Sequence, residues 1–292
     1  MAVGGTVTNA FVQMWSDDVT HLAQQKASKL QGSVRTVRGV IGDTYKFHTL
    51  GKGGYIKNKV RNADLRPMSD SGSFSTSTDG AAYEGGTAAH ATVSATMNSF
   101  VTGEYIEDID QLRTNIDFRQ SYQGAIAAAL NRAYDKELIS VMDAATPGAT
   151  VSASTSAGLD KAKLVEVAEA LNDQSVPMGS RYLVISPAAL TDMLGDTTLV
   201  SSDYVATQGL QAGYIPNVMG FNVIVSNELT LTSGVRACYA YDTNSIGCAI
   251  GKDITSRFDY VPQKVAHLVT AEFTQGCAVI DPNGLVQVDV TE

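Results

Sequence analysis

The sequence predicts an α+β protein organised around one long helix. Three features carry that reading: a helical stretch over about residues 111–145, a run of about 40 polar and glycine-rich residues ahead of it, and short alternating strands and helices behind it. Apolar residues recur at Leu112, Ile116, Tyr122, Ile126, Leu130, Tyr134, Leu138 and Met142, mostly four apart, which makes a slowly winding apolar stripe on a helix. At 1.5 Å per residue the rod is roughly 50 Å long. It stops ahead of Pro147-Gly148 and suits a plate-like subunit.

From the N-terminus, residues 8–30 read as an amphipathic helix, with Phe11, Val12, Trp15, Val19 and Leu22 on its apolar stripe. Trp15, the only tryptophan, and Phe11 are candidate anchors on a neighbouring subunit. Residues 44–50 alternate large and polar, residues 91–101 do so more weakly, and both read as arms of a hairpin. Between them, Gly51-Lys-Gly-Gly54, the Ser/Thr/Gly run 69–80 and Gly85-Gly86 form a segment too polar to build its own core. A long segment of this kind is functional or is ordered by a partner, and it reads as an extended two-stranded arm.

The acids of residues 104–110 favour the positive end of the long helix, with Asp110 as its cap. Residues 147–158 read as a hinge into a second region. Beyond it, 159–172 is an amphipathic helix, 182–185 a strand, and Ser186-Pro187 opens another helix. Residues 213–220 read as a turn region, 221–225 and 237–241 as strands, and 244–250 as a short helix. The stretches 257–261, 266–273 and 285–290 read as closing strands, with a turn at Asp281-Pro-Asn-Gly284.

With 292 residues and 44% apolar content, the chain has ample material for a core. Only 17% of residues are charged, which leaves a surface rich in Ser, Thr, Gly and Ala, the kind that meets other subunits. A formal charge of −9 argues against sequence-specific nucleic-acid binding, which needs clustered Lys and Arg. The first residues lack the pattern of a secretory signal, and no stretch reaches the ~20 apolar residues that span a bilayer, so no membrane partner is expected. Cys238, Cys248 and Cys277 are odd in number and lack CxxC spacing, which predicts buried free thiols.

No phosphate loop, zinc-protease, nucleophile-elbow or calcium-loop pattern is present. His21, His48, His90 and His267 fall in four separate segments, and His48 and His267 read as strand-face residues rather than ligands. No catalytic residue, cofactor or metal site is expected. Arg35, Arg38, Lys46, Lys52, Lys57, Lys59 and Arg61 make the first half of the arm basic in an otherwise acidic chain. Such an arm is either a solvated face or a strip that meets a neighbour's carboxylates and sets register.

This order of elements resembles the major capsid proteins of tailed bacteriophages with the Hong Kong 97-like fold. Local phrases resemble it too: Gly42-Asp-Thr-Tyr-Lys-Phe47 entering the loop, Asp135-Lys-Glu-Leu138 in the long helix, and the strand-to-helix run Arg181-Tyr-Leu-Val-Ile-Ser-Pro-Ala-Ala-Leu190. So does Gly213-Tyr-Ile-Pro-Asn-Val-Met-Gly-Phe-Asn-Val-Ile-Val-Ser-Asn227. The resemblance implies an N-terminal arm at 1–38, an extended loop at 39–100, and a peripheral domain with its spine helix at 101–157. An axial domain follows at 158–242, and 243–292 returns to the peripheral strands. It further implies pentamers and hexamers that close an icosahedral virion capsid around double-stranded DNA, assembled in the cytoplasm of a host bacterium. A portal protein, a separate scaffolding protein and a decoration protein are the implied partners, and closure is expected to be noncovalent. Inter-subunit contact is expected at Phe11, Trp15, Lys52, Lys57, Lys59, Phe74 and Tyr83. Two rival readings are an encapsulin-like nanocompartment, which shares the fold but holds protein cargo, and a small-molecule α/β enzyme with the polar loop as its lid.

Overall fold

The computed structural model of the chain describes residues 24–51, 55–57, 75–76, 82–84, 90–107, 118–152, 158–195 and 217–292. Strand β1 (Arg35–Arg38) leads into β2 (Thr44–Leu50), which is followed by β3 (Tyr55–Lys57), β4 (Ser75–Thr76), β5 (Ala82–Glu84), β6 (His90–Thr96) and β7 (Asn98–Glu107). Helix α1 (Phe118–Ala144) and β8 (Ala149–Val151) precede α2 (Lys161–Asp173), β9 (Arg181–Ile185) and α3 (Pro187–Gly195). The chain closes with β10 (Asn217–Val218), β11 (Phe221–Val225), β12 (Leu231–Thr232), β13 (Val235–Asp242), β14 (Ile246–Val261), β15 (Ala266–Val279) and β16 (Leu285–Thr291).

The four-apart stripe does what its spacing requires. Ile126, Leu130, Tyr134, Leu138 and Met142 are all buried along α1, each worth about 1.5–3 kcal/mol for removal from water. The described helix is roughly 40 Å long, and the residues proposed for its first turns, with Asp110 as cap, lie outside the described residues. Glu104 and Glu107, expected to lead into the helix, belong instead to β7.

The chain forms two compact units. The larger comprises 28–100, 133–253 and 273–292. Its mixed sheet has the order β10-β11-β9-β13-β16-β8, with β12 paired to β13. Strands β11 and β9 run parallel, β13 is antiparallel to both β9 and β16, and β8 is parallel to β16. Helix α2 lies on β16 and β8, burying Leu164, Val167 and Leu171. It starts where the Asp160 carboxylate accepts the Lys163 N–H at 3.0 Å, and α3 starts where Ser186 Oγ accepts the Ala189 N–H at 3.1 Å. Strands β1, β14, β15 and β7 form a second sheet in that order, with β1 parallel to β14.

The smaller unit comprises 1–27, 101–132 and 254–272. Within it Ile106, Ile126, Leu130, Val269 and Ala271 are buried, Lys264 lies 3.8 Å over the Tyr105 ring, and His267 stacks on Phe258.

Several expectations need correction. Residues 24–30 are not helical. The backbone donors of Lys29 and Leu30 are taken by the Asp135 carboxylate, not by carbonyls one turn earlier. Residues 244–250 form no helix; a single 3-10 turn at Thr243–Ser245 runs straight into the 16-residue strand β14. The arm is two-stranded at β2 and β6, but further out β5 pairs with both β3 and β4, making three strands. Cys248 and Cys277 are not free thiols: they are bonded to each other across β14 and β15, which leaves Cys238 as the free one.

Candidate functional site

Two constructions in the larger unit hold the segments that leave its core. The first grips the N-terminal segment. Asp135, on the inner face of α1, is wholly buried and accepts hydrogen bonds from Ser28 Oγ at 2.5 Å and from the N–H groups of Lys29 and Leu30 at 3.0 and 3.3 Å. A carboxylate with two oxygens can meet three converging donors. Lys29 Nζ then donates to the Val225 carbonyl at 2.8 Å, and Leu30 closes over the core with no exposure. Ser33 Oγ and the Tyr241 hydroxyl meet at 2.5 Å, fixing the entry to β1.

The second is a seat for the hairpin. Strands β2 and β6 pair from Thr44↔Thr96 to Leu50↔His90, yet of their described side chains only Phe47 and Ala95 are buried. These two lie on Ala249 and Ala278 of the four-stranded sheet. The close approach depends on glycine. A Cβ on Gly247 would stand 2.6 Å from the Phe47 ring, and one on Gly276 would stand 2.4 Å from the Thr96 carbonyl oxygen. A Cβ on Gly251 would stand 3.0 Å from the Val40 carbonyl oxygen and 3.2 Å from Met97 Cε. Backbone bonds from Val40 N–H to the Ile250 carbonyl at 3.2 Å and from Met97 N–H to the Asp43 carbonyl at 2.8 Å clamp the root of the hairpin.

The buried ionisable groups are occupied with structure. Tyr239 donates to Asp143 near the end of α1, which also accepts from Thr230 Oγ1 at 2.5 Å. Lys163 is fully buried and donates to the Asp289 carbonyl at 2.9 Å; burial lowers its pKa below the ordinary lysine value. Glu292 accepts from Ser186 Oγ and from Arg236 Nε at 2.8 Å. Burial alone would raise its pKa, but those two partners outweigh it and hold the carboxyl below its usual range. Burial pushes the Cys238 thiol up to about 12, so it is no nucleophile at neutral pH. No cluster of three or more metal-ligating side chains occurs among the described residues.

Of the residues expected to meet other subunits, Phe11, Trp15, Lys52, Lys59 and Phe74 lie outside the described residues. Lys57 and Tyr83 fall on β3 and β5, where Ile56 is in register with Tyr83 and Lys57 with Ala82. Sequence reasoning did not find the Asp135 clamp or the glycine seat. The phrase Asp135-Lys-Glu-Leu138 pointed at the right turn of helix, but the donors sit more than 100 residues away in the chain. The seat glycines, isolated within strand patterns, carried the one available signal, that of a close backbone approach.

A helix spine, a mixed α/β unit and a hairpin on a glycine seat make up the Hong Kong 97-like fold. The phage capsid protein family matches residues 7–292, and the chain belongs to that family. It is a shell-forming protein of the virion capsid and not an enzyme. Among solved structures it is similar to the capsid of Cyanophage P-SCSP1u, at a TM-score of 0.74 and 14% identity over 98% of this chain and 94% of that one. The capsid of a native GTA particle gives 0.71 and 13% over 100% and 99%, and Mycobacterium phage Che8 gives 0.67 and 18% over 95% and 96%. No curated protein sequence gives a significant match. The family assignment favours the phage shell over the nanocompartment and lidded-enzyme readings. No described helix is long and apolar enough to cross a membrane.

Proposed function

We propose that copies of this chain assemble as pentamers and hexamers into an icosahedral shell around double-stranded DNA, within the cytoplasm of a host bacterium. The observation that carries the reading is the hairpin: among the described side chains of β2 and β6 Phe47 and Ala95 alone are buried, on Ala249 and Ala278, and backbone bonds clamp its root. An isolated ribbon is marginally stable in water, so its outer part is ordered by lying across the next copy. In this arrangement 1–38 is the arm, 39–100 the loop, 101–157 the peripheral domain, 158–242 the axial domain and 243–292 the return. Strand β16 of that return pairs with β13 and adds to the axial sheet. Phe11, Trp15, Lys52, Lys57, Lys59, Phe74 and Tyr83 supply contacts between copies, the lysines meeting a predominantly acidic neighbour. A scaffolding protein, a portal protein and a decoration protein are the other partners. DNA is held without sequence specificity, in keeping with a net charge of −9.

Deletion of residues 69–86 tests this directly. The shortened chain is expected to keep its circular dichroism and melting temperature, because the segment is too polar to add core, and to form no stable particles in electron micrographs. Shells of unchanged stability from the shortened chain would contradict the role given to the hairpin.

A further inference from the structure

We propose that Cys248 and Cys277 are a reversible redox lock beneath the hairpin seat, held as two thiols while the shell is built and as a disulfide once the particle meets an oxidising medium. This rests on the reading of the chain as a shell subunit assembled inside a cell, where thiols are kept reduced.

The strands prepare the bond. The two Cα atoms are 4.2 Å apart on neighbouring strands, close to the ~4.5 Å of any non-hydrogen-bonded antiparallel pair. The ladder therefore holds the sulfurs within reach in either state. Next to the cysteines in sequence are Gly247, Ala249 and Ala278, on which Phe47 lies, and Cys248 is in register with Thr36 of β1. A bond here stiffens the strands that carry the hairpin and the arm.

Gln275 lies against the bond. Its side chain is fully buried, its Nε2 donates to Cys277 Sγ at 2.9 Å, and its Oε1 has no hydrogen-bond partner among the described residues. A disulfide sulfur has no hydrogen to give. A thiol does, so reduction places a new donor beside the Gln275 amide, whose Nε2 also donates to the Tyr134 carbonyl at 3.5 Å.

The chemistry is thiol–disulfide exchange with a small-molecule disulfide such as oxidised glutathione. Cys277, at 7% exposure against none for Cys248, is the entry sulfur. Its thiolate attacks one sulfur of the oxidant and expels the other half, which leaves as a thiol carrying the Cys277 proton. The Cys248 thiolate then attacks Cys277 Sγ of the mixed disulfide and releases the second thiol. The protein loses two hydrogens and the oxidant gains them. Cys238, buried and protonated, does not compete.

The test uses the full chain expressed in a bacterial cytoplasm. One sample is lysed directly into denaturant with iodoacetamide; another is purified folded, incubated with oxidised glutathione, then denatured and alkylated. Expected are three alkylated cysteines in the first. In the second, a linked Cys248–Cys277 peptide is expected, with Cys238 alkylated and a melting temperature several degrees higher that dithiothreitol reverses. The double variant C248S/C277S should show no shift on oxidation. A bond already complete in the direct lysate, or two free thiols after oxidant treatment of the folded chain, overturns the proposal. Neither readout depends on whether shells form, which electron microscopy reports separately.

Discussion

Asp135 shows how one side chain can hold a long segment. It is buried on α1 and meets three donors from residues 28–30, so its removal takes the acceptor from all three and leaves the buried Leu30 N–H unpaired. Asp135→Ala is expected to cost about 3 kcal/mol in urea denaturation, and Asp135→Asn less, since one amide oxygen still accepts. A cost under about 0.5 kcal/mol for the alanine variant would show that the arm base is held elsewhere. Glu292 gives a pH signature. Its folded pKa lies below the ordinary 4.5, so its contribution is complete above that pH and is lost as pH falls through the folded value. The melting temperature of Glu292→Gln should therefore fall below that of the parent near pH 7, with the gap closing toward pH 3. A gap that does not vary with pH would assign Glu292 no electrostatic role.

Elements were legible in the sequence where one pattern prevailed. Thr44–Leu50 and Phe221–Val225 are strands with the bounds their composition indicated, and the apolar stripe of α1 faces its core. Legibility failed at Ile246–Ile250, because a short apolar run reads equally as helix or buried strand, and pairing with β1 and β15 decides it. The middle of β14, through Asp253, Thr255 and Ser256, has too little alternation to be read as strand, whereas its end at 257–261 was legible. Cys248 and Cys277, 29 residues apart with a third cysteine in the count, gave no pairing signal; only the strand ladder brings them together. The seat glycines likewise mean nothing until the hairpin lies on them. Gly276→Ala would force Cβ to within 2.4 Å of a backbone oxygen that cannot move cheaply. It should destabilise by about 1–3 kcal/mol and remove hydrogen-exchange protection from β2 and β6. Gly179→Ala, with nothing within 4 Å of its Cβ, is the control and should be near neutral. Equal effects from the two would remove the seat from the account.

For the molecule as a whole, the physical logic is that of a part made for a larger object. The charged fraction is low at 17%, and the polar hairpin is built outward from a seat. Family membership over residues 7–292 accounts for both. The most direct test is negative-stain electron microscopy with light scattering on the chain expressed alone and together with its neighbouring genes. Closed particles of uniform, many-subunit size in either preparation are the predicted result. A monodisperse monomer or small oligomer in both would contradict the claim that this chain builds a shell.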